Sequence, residues 1–203
     1  MSLHVCLFAN TLSYPEGGGH LWVYLNWALG LRSLGCDVVW LEAVEAGRTP
    51  DEVRGQVESL QSRLARHGLT EPVALCSLEG EPLDPSLPGA KADYEADLLL
   101  NFQCAIGPAV LRRFRRSALI DIDPGLLQVW LSEGHVAVAP HDVFFTIGET
   151  VGRPGARFPD AGIKWQYTPP CVALDWWPVH PALASAPFTT VSHWYQDEWL
   201  EDA

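Results

Sequence analysis

Gly17-Gly18-Gly19-His20 is the first place in this chain where residue type and spacing suggest chemistry. Glycines that lead into a helix let backbone amides approach a phosphate or a sugar closely, and the helix N-terminus adds partial positive charge. The spacing is not G-x-G-x-x-G. Glu42 ends the following strand, yet no acidic residue is clearly placed to hold a ribose, so support for a dinucleotide site is weak. The alternative is a flexible loop with no ligand. Three glycines followed at once by a histidine, at a strand-to-helix switch, favour a ligand.

Asp121-Ile122-Asp123-Pro124-Gly125 is the second group. Residues i and i+2 of a strand face the same side, so the two carboxylates have a geometry for a metal or a hydroxyl. No third ligand is identifiable. The residues alone therefore favour Asp123 as the end of a strand and the cap of a Pro-Gly turn. His141-Asp142, followed by Phe144-Phe145-Thr146-Ile147-Gly148-Glu149, is the third group. A histidine beside an aspartate serves as general base, as oriented donor, or as a structural residue at a strand entrance. Thr146 and Glu149 fall at or beyond the carboxyl end of that strand. Arg112-Arg113-Phe114-Arg115-Arg116 is the only basic cluster and reads as a solvated helix end. Nine tryptophans suit sugar rings, cores or interfaces, and those from Trp165 to Trp199 fall where no regular core is expected.

The elements that must position these groups follow from the apolar pattern. Residues 3–9 read as a strand buried on both faces, residues 21–34 as a helix stopped by Gly35, and residues 36–43 as the next strand. Strand, glycine loop, helix, strand is a βαβ unit of a parallel sheet. Further on, residues 50–66 predict an amphipathic helix with Thr49 as N-cap. Strands are predicted at 72–77, 97–102, 117–122 and 143–147, short helices at 108–114 and 126–132, and a loop at 79–92. After Gly148 the chain is rich in proline and reads as irregular. The expected fold is α/β: a Rossmann-like parallel sheet with helices on both faces in residues 1–150, then an irregular Pro/Trp-rich arm in 151–203. Ligands of such sheets bind beyond the carboxyl ends of the strands, which singles out residues 10–20, Glu42, and residues 103–107, 121–125 and 146–152.

Composition limits the partners. The chain has 203 residues, 25 acidic and 13 basic, for a net charge of −12. At 48% hydrophobic and 19% charged it has ample material for a core. An acidic surface repels phosphate backbones and anionic headgroups, which argues against nucleic acid and bulk membrane. Five dispersed cysteines and no CxxC pair suggest buried thiols in a reducing compartment, not a disulfide scaffold or zinc site. No apolar run approaches the ~18 residues of a transmembrane helix, and the N-terminus does not read as a signal peptide. The expectation is a soluble cytoplasmic protein.

Residues 3–8, the Gly17–Gly19 loop with His20, and Leu29-Gly30-Leu31-Arg32-Ser33-Leu34-Gly35-Cys36-Asp37-Val38-Val39-Trp40-Leu41-Glu42 together resemble the N-terminal domain of GT-B glycosyltransferases. The segments 120–125, 141–149 and Trp165-Gln166-Tyr167-Thr168-Pro169-Pro170 resemble a bacterial subgroup of these proteins. The likeness covers most of the chain. It implies transfer of a sugar from a nucleotide-sugar to an acceptor, with the acceptor held mainly by this domain and the nucleotide by a C-terminal domain. It implies that Gly17, Gly18 and Gly19 face the donor, that His20 is the base of an inverting enzyme, and that Asp123 orients it. In a retaining enzyme His141 would approach the donor sugar instead. Asn10, Asp142, Thr146 and Glu149 complete the expected donor- and acceptor-binding set. No metal and no cofactor beyond the nucleotide-sugar is expected. The nucleotide half is expected from a missing C-terminal domain or partner chain, so the chain alone is expected to transfer nothing. Two other readings stay open: a non-catalytic Rossmann-like binding module, and a metal-dependent sugar-nucleotide transferase using Asp121 and Asp123.

Overall fold

A computed structural model of the chain describes residues 2–183 and 185–190. Trp194 and Trp199 lie outside the described residues. The chain divides into two units, Met1–Ala173 and Leu174–Ala203.

The first unit is built on β1 (His4–Phe8), α1 (Gly18–Ser33), β2 (Asp37–Ala43), α2 (Pro50–Ala65), β3 (Ala74–Cys76), β4 (Leu98–Asn101), α3 (Pro108–Leu111), β5 (Arg116–Asp121), α4 (Leu126–Glu133), β6 (Val143–Thr146) and β7 (Trp165–Tyr167). Seven strands form one sheet in the order β3-β2-β1-β4-β5-β6-β7, and every pairing is parallel. The architecture is therefore a Rossmann-like α/β fold with helices on both faces. The chain winds outward from β1 to β3, then crosses back to β4, which makes the gap between β1 and β4 the topological switch point.

Alternation along β1 divides the core. Val5 and Leu7 join α1 and α2 through Leu21, Leu25, Val53 and Leu60, whereas Cys6 and Phe8 join α3 through Val110 and Leu111. Val5, Cys6, Leu7 and Phe8 are all 0% exposed, which explains the unbroken apolar run of β1 after His4. The local signals act as expected. Thr49 and Glu52 form a reciprocal capping box on α2. Gly35, at φ +82, follows Leu34 at the end of α1, with Gly35 N–H bonded to Arg32 O at 2.9 Å and Cys36 N–H to Leu31 O at 3.1 Å. That 5→2 and 6→1 pair is a Schellman stop.

Several boundaries differ from the sequence reading, and α1 starts at Gly18, three residues earlier than expected. β3 starts at Ala74 because Pro72 has no N–H and the Val73 N–H is taken by Gln61 Oε1 at 2.9 Å. α3 ends at Leu111, three residues early. The stretch expected to be irregular supplies a seventh strand, β7, and residues beyond it return to α1: Ala173 N–H donates to Asn26 Oδ1 at 2.9 Å. The first unit accordingly runs past residue 150, to Ala173. In the second unit a 3-10 turn covers Leu174–Trp176, and its described part is otherwise irregular. No helix of the described residues is long and apolar enough to cross a membrane.

Candidate functional site at the sheet switch point

The loop from β1 into α1 is tied down rather than loose. Glu42, the penultimate residue of β2, is 1% exposed, and its carboxylate accepts from Thr11 N–H at 2.9 Å, Leu12 N–H at 3.2 Å, Trp40 Nε1 at 2.9 Å and the Thr11 hydroxyl. Burial pushes its pKa up, and these donors oppose the shift. Glu42 is thus committed to the loop and is not free to hold a ribose. Farther along, Ser13 Oγ donates to Glu45 Oε1 at 2.6 Å, and Arg63 Nη1 reaches Pro15 O at 2.6 Å from α2.

Past this loop α1 begins without a side-chain cap, with Gly17 at the N-cap. The N–H groups of Gly19 and His20 make no hydrogen bond among the described residues. Gly18 and Gly19 are exposed, and a Cβ on either would meet nothing within 4 Å. Space, unpaired donors and the positive end of a 16-residue helix therefore coincide beside the switch point.

His20 sits in the first turn of α1. Its Nε2 lies 3.0 Å from the Tyr24 hydroxyl, one helical turn on. The Tyr14 ring meets it edge-on at 4.7 Å between centroids, and Tyr24 at 5.0 Å. Nδ1 is buried and has no partner among the described residues. Burial lowers the His20 pKa, and the charge of Asp123 acts in the opposite direction. The structure thus brings Asp123, from the β5–α4 turn, into electrostatic reach of His20. No hydrogen bond joins them; the group oriented against the ring is Tyr24. Sequence reasoning missed Tyr24, although its position four residues after His20 on a helix was a readable signal. Asn10 belongs to the same group, since its backbone N–H acts on the Tyr24 hydroxyl.

The two aspartates of the D-x-D segment line one small cavity but have different surroundings. β5 stops at Asp121, so the strand alternation that would align Asp123 is lost in the turn. Asp121 is 3% exposed and its Oδ2 accepts from Gln128 Nε2 and from Thr146 Oγ1, both at 2.7 Å. Its Oδ1 accepts from the Asp123 N–H at 3.0 Å. Burial raises the Asp121 pKa. Asp123 itself is exposed. Among the described residues no group of three His, Cys, Asp or Glu side chains is arranged to hold a metal ion. Thr146, 1% exposed, also receives the Gly148 N–H at 3.0 Å, so it braces the ends of β5 and β6 and does not face solvent.

The remaining candidates sit apart from His20. His141 is buried with both nitrogens engaged: Nδ1 with Ala139 O at 2.7 Å and Nε2 with Asn101 Nδ2 at 3.0 Å. A carbonyl accepts only from N–H and an amide NH₂ only donates, so the ring is the Nδ1–H tautomer and has no free lone pair for catalysis. Burial lowers its pKa as well. Asp142 accepts from Ser117 N–H at 2.8 Å and Arg116 Nη1 at 3.0 Å. That places it at the amino ends of β5 and β6, opposite the carboxyl-end rim, where it pins two strands. Glu149 is on the correct rim, exposed, and ion-paired with Arg153 at 3.4 Å.

A cavity of about 80 Å³ at the carboxyl rim is lined by Cys104, Asp121, Asp123, Leu127 and Trp130. A larger one, about 550 Å³, lies at the amino ends of β1 and β2 against His4, Arg32, Val38, Trp40 and Leu69. It exists because β3 pairs with β2 only from Leu41 onward. It holds none of the sequence-derived candidates, and the chemistry argued above belongs to the opposite rim. No protein-family model and no curated protein matches this chain.

Proposed function

We propose that this chain is the acceptor-side half of a GT-B-type glycosyltransferase, moving a sugar from a nucleotide-sugar to an acceptor, with His20 at the reacting centre. The observation that carries the reading is the convergence at the switch point of an uncapped, glycine-led helix N-terminus with a neutral, partly buried histidine beside Asp123. Open space over Gly18 and Gly19 supports close approach of a diphosphate or sugar to the backbone. The donor nucleotide is held by a second domain or partner chain across the cleft. His141 has no free nitrogen for a role in inverting or retaining chemistry.

The test is a transfer assay on the product of the complete reading frame with a panel of nucleotide-sugars, run beside its His20→Ala variant. A group positioned at the reacting centre contributes about 10²–10⁴-fold to rate. Unchanged turnover in His20→Ala removes His20 from the centre, and no turnover with any donor removes the transferase reading. A second reading, a binding module, is favoured by one observation: Leu174, Trp176 and Trp177 are exposed in the second unit. Retained partner capture by a chain without transferase activity would support it.

A further inference from the structure

Tyr24 and His20 share one face of α1, and their contact has a definite number of protons to distribute. Tyr24 is 1% exposed, and its hydroxyl oxygen is 3.0 Å from His20 Nε2. Burial, with the charges of Glu42 and Asp123, raises the phenol far above its ordinary value, so it is a protonated O–H. Among the described residues His20 Nε2 is the hydrogen-bond acceptor within its reach. The other ring nitrogen, Nδ1, is buried without a partner.

The two neutral tautomers leave different groups unmatched. With the ring proton on Nδ1, Nε2 accepts the phenol O–H, and only the Nδ1–H is unmatched. With the ring proton on Nε2, the ring donates to the phenol oxygen. The phenol proton then has no acceptor, and the Nδ1 lone pair is unmatched as well. Each tautomer strands one donor, and only the Nε2–H form strands a lone pair as well, so the additional unsatisfied buried group decides the matter. A protonated ring is worse than either, since it strands the phenol proton and Nδ1–H together and buries a charge. Asp123, Glu42 and Tyr14 are the other titratable groups acting on this pair, and none is hydrogen-bonded to the ring.

We propose that Tyr24 is a positioning residue that holds His20 as the neutral Nδ1–H tautomer, so that the one lone pair of the ring, on Nε2, is taken by the phenol O–H and is not offered to a substrate as a base. That His20 meets a nucleotide-sugar or its acceptor rests on the transferase reading; the tautomer does not.

The experiment is a long-range ¹H–¹⁵N correlation spectrum of the full chain labelled with ¹⁵N-histidine, with the His20 signals assigned by their loss in His20→Gln. The expected result is a His20 ring with Nδ1 of the protonated, pyrrole type and Nε2 of the unprotonated, pyridine type. In Tyr24→Phe the tautomer ratio shifts toward Nε2–H by about fivefold or more, the effect of losing one hydrogen bond. A wild-type Nε2–H or imidazolium ring overturns the proposal, as does an unmoved ratio in folded Tyr24→Phe. If Tyr24→Phe does not fold, the wild-type spectrum decides alone. An Nδ1–H ring in a protein that transfers no sugar upholds the tautomer and overturns the transferase reading, so the two fail separately.

Discussion

Glu42 makes the residue-scale argument sharpest, because every atom around its carboxylate donates. Glu42→Gln keeps the shape but replaces one oxygen by an NH₂ group that faces donors either way round, the Thr11 and Leu12 N–H groups at Oε2 or the Thr11 N–H and Trp40 Nε1 at Oε1. The expected loss is about 1–3 kcal/mol, read as a lower urea midpoint with unchanged m-value; a neutral result would show that the loop does not need this carboxylate. His141 gives the pH-dependent counterpart. Its folded pKa is lowered by burial, so the unfolded chain binds more protons below the ordinary histidine value of about 6.5. The stability it contributes is fully present above that pH and drains away as pH falls toward the folded value. The stability gap between wild type and His141→Gln should therefore narrow from pH 7.5 to pH 5.5 in denaturant titrations, and a constant gap would refute the assignment. The residue types of the site were legible in the sequence, since His20 and its glycines stand out by position alone. What each polar group is bonded to was not. Glu42 read as a strand end with no clear ribose role, and Asp121 with Asp123 as a metal pair that the residues alone disfavoured; the Leu12 and Thr146 donors that engage the two carboxylates lie 30 and 25 residues away in the chain.

At the scale of elements, the glycines separate into those the backbone requires and those it does not. A Cβ at Gly89 would stand 2.0 Å from Val73 O at φ +85, and one at Gly148 would stand 2.5 Å from Pro124 Cβ. Gly18 and Gly19 carry no such constraint. Gly18→Ala and Gly19→Ala are expected to raise stability by roughly 0.5–1 kcal/mol through helix propensity. On the proposed function they also weaken nucleotide-sugar binding by crowding the approach. Thermal melts paired with isothermal titration check both directions; a gain in both would detach these glycines from the ligand. The buried strands were readable for a related reason, since an all-parallel sheet covered on both faces writes its strands as apolar runs. β7 escaped because Trp165–Tyr167 is a three-residue edge strand with Gln166 and Tyr167 exposed, so burial left no pattern to read. Its identity depends on register with β6, which is a property of two segments and not of one.

For the whole molecule, a net charge of −12 with few basic side chains means that folding concentrates like charges. Raising ionic strength from 0.01 to 0.15 M shortens the screening length from about 30 to about 8 Å. The midpoint of thermal unfolding is expected to rise over that interval, and a fall would show that ion pairs such as Arg116–Asp142 outweigh the repulsion. The strand order has a further consequence for how the chain is made. β1 lies at the middle of the sheet, yet one of its two neighbours is β4, and the backbone of His4 bonds to Asp97, 93 residues away. During synthesis at about 5–20 residues per second, β1 waits roughly 5–20 seconds with that edge unpaired. An apolar segment held open for so long on the ribosome is a binding target for nascent-chain chaperones, so the same strand order that creates the switch point also sets the interval in which this protein most needs protection from aggregation.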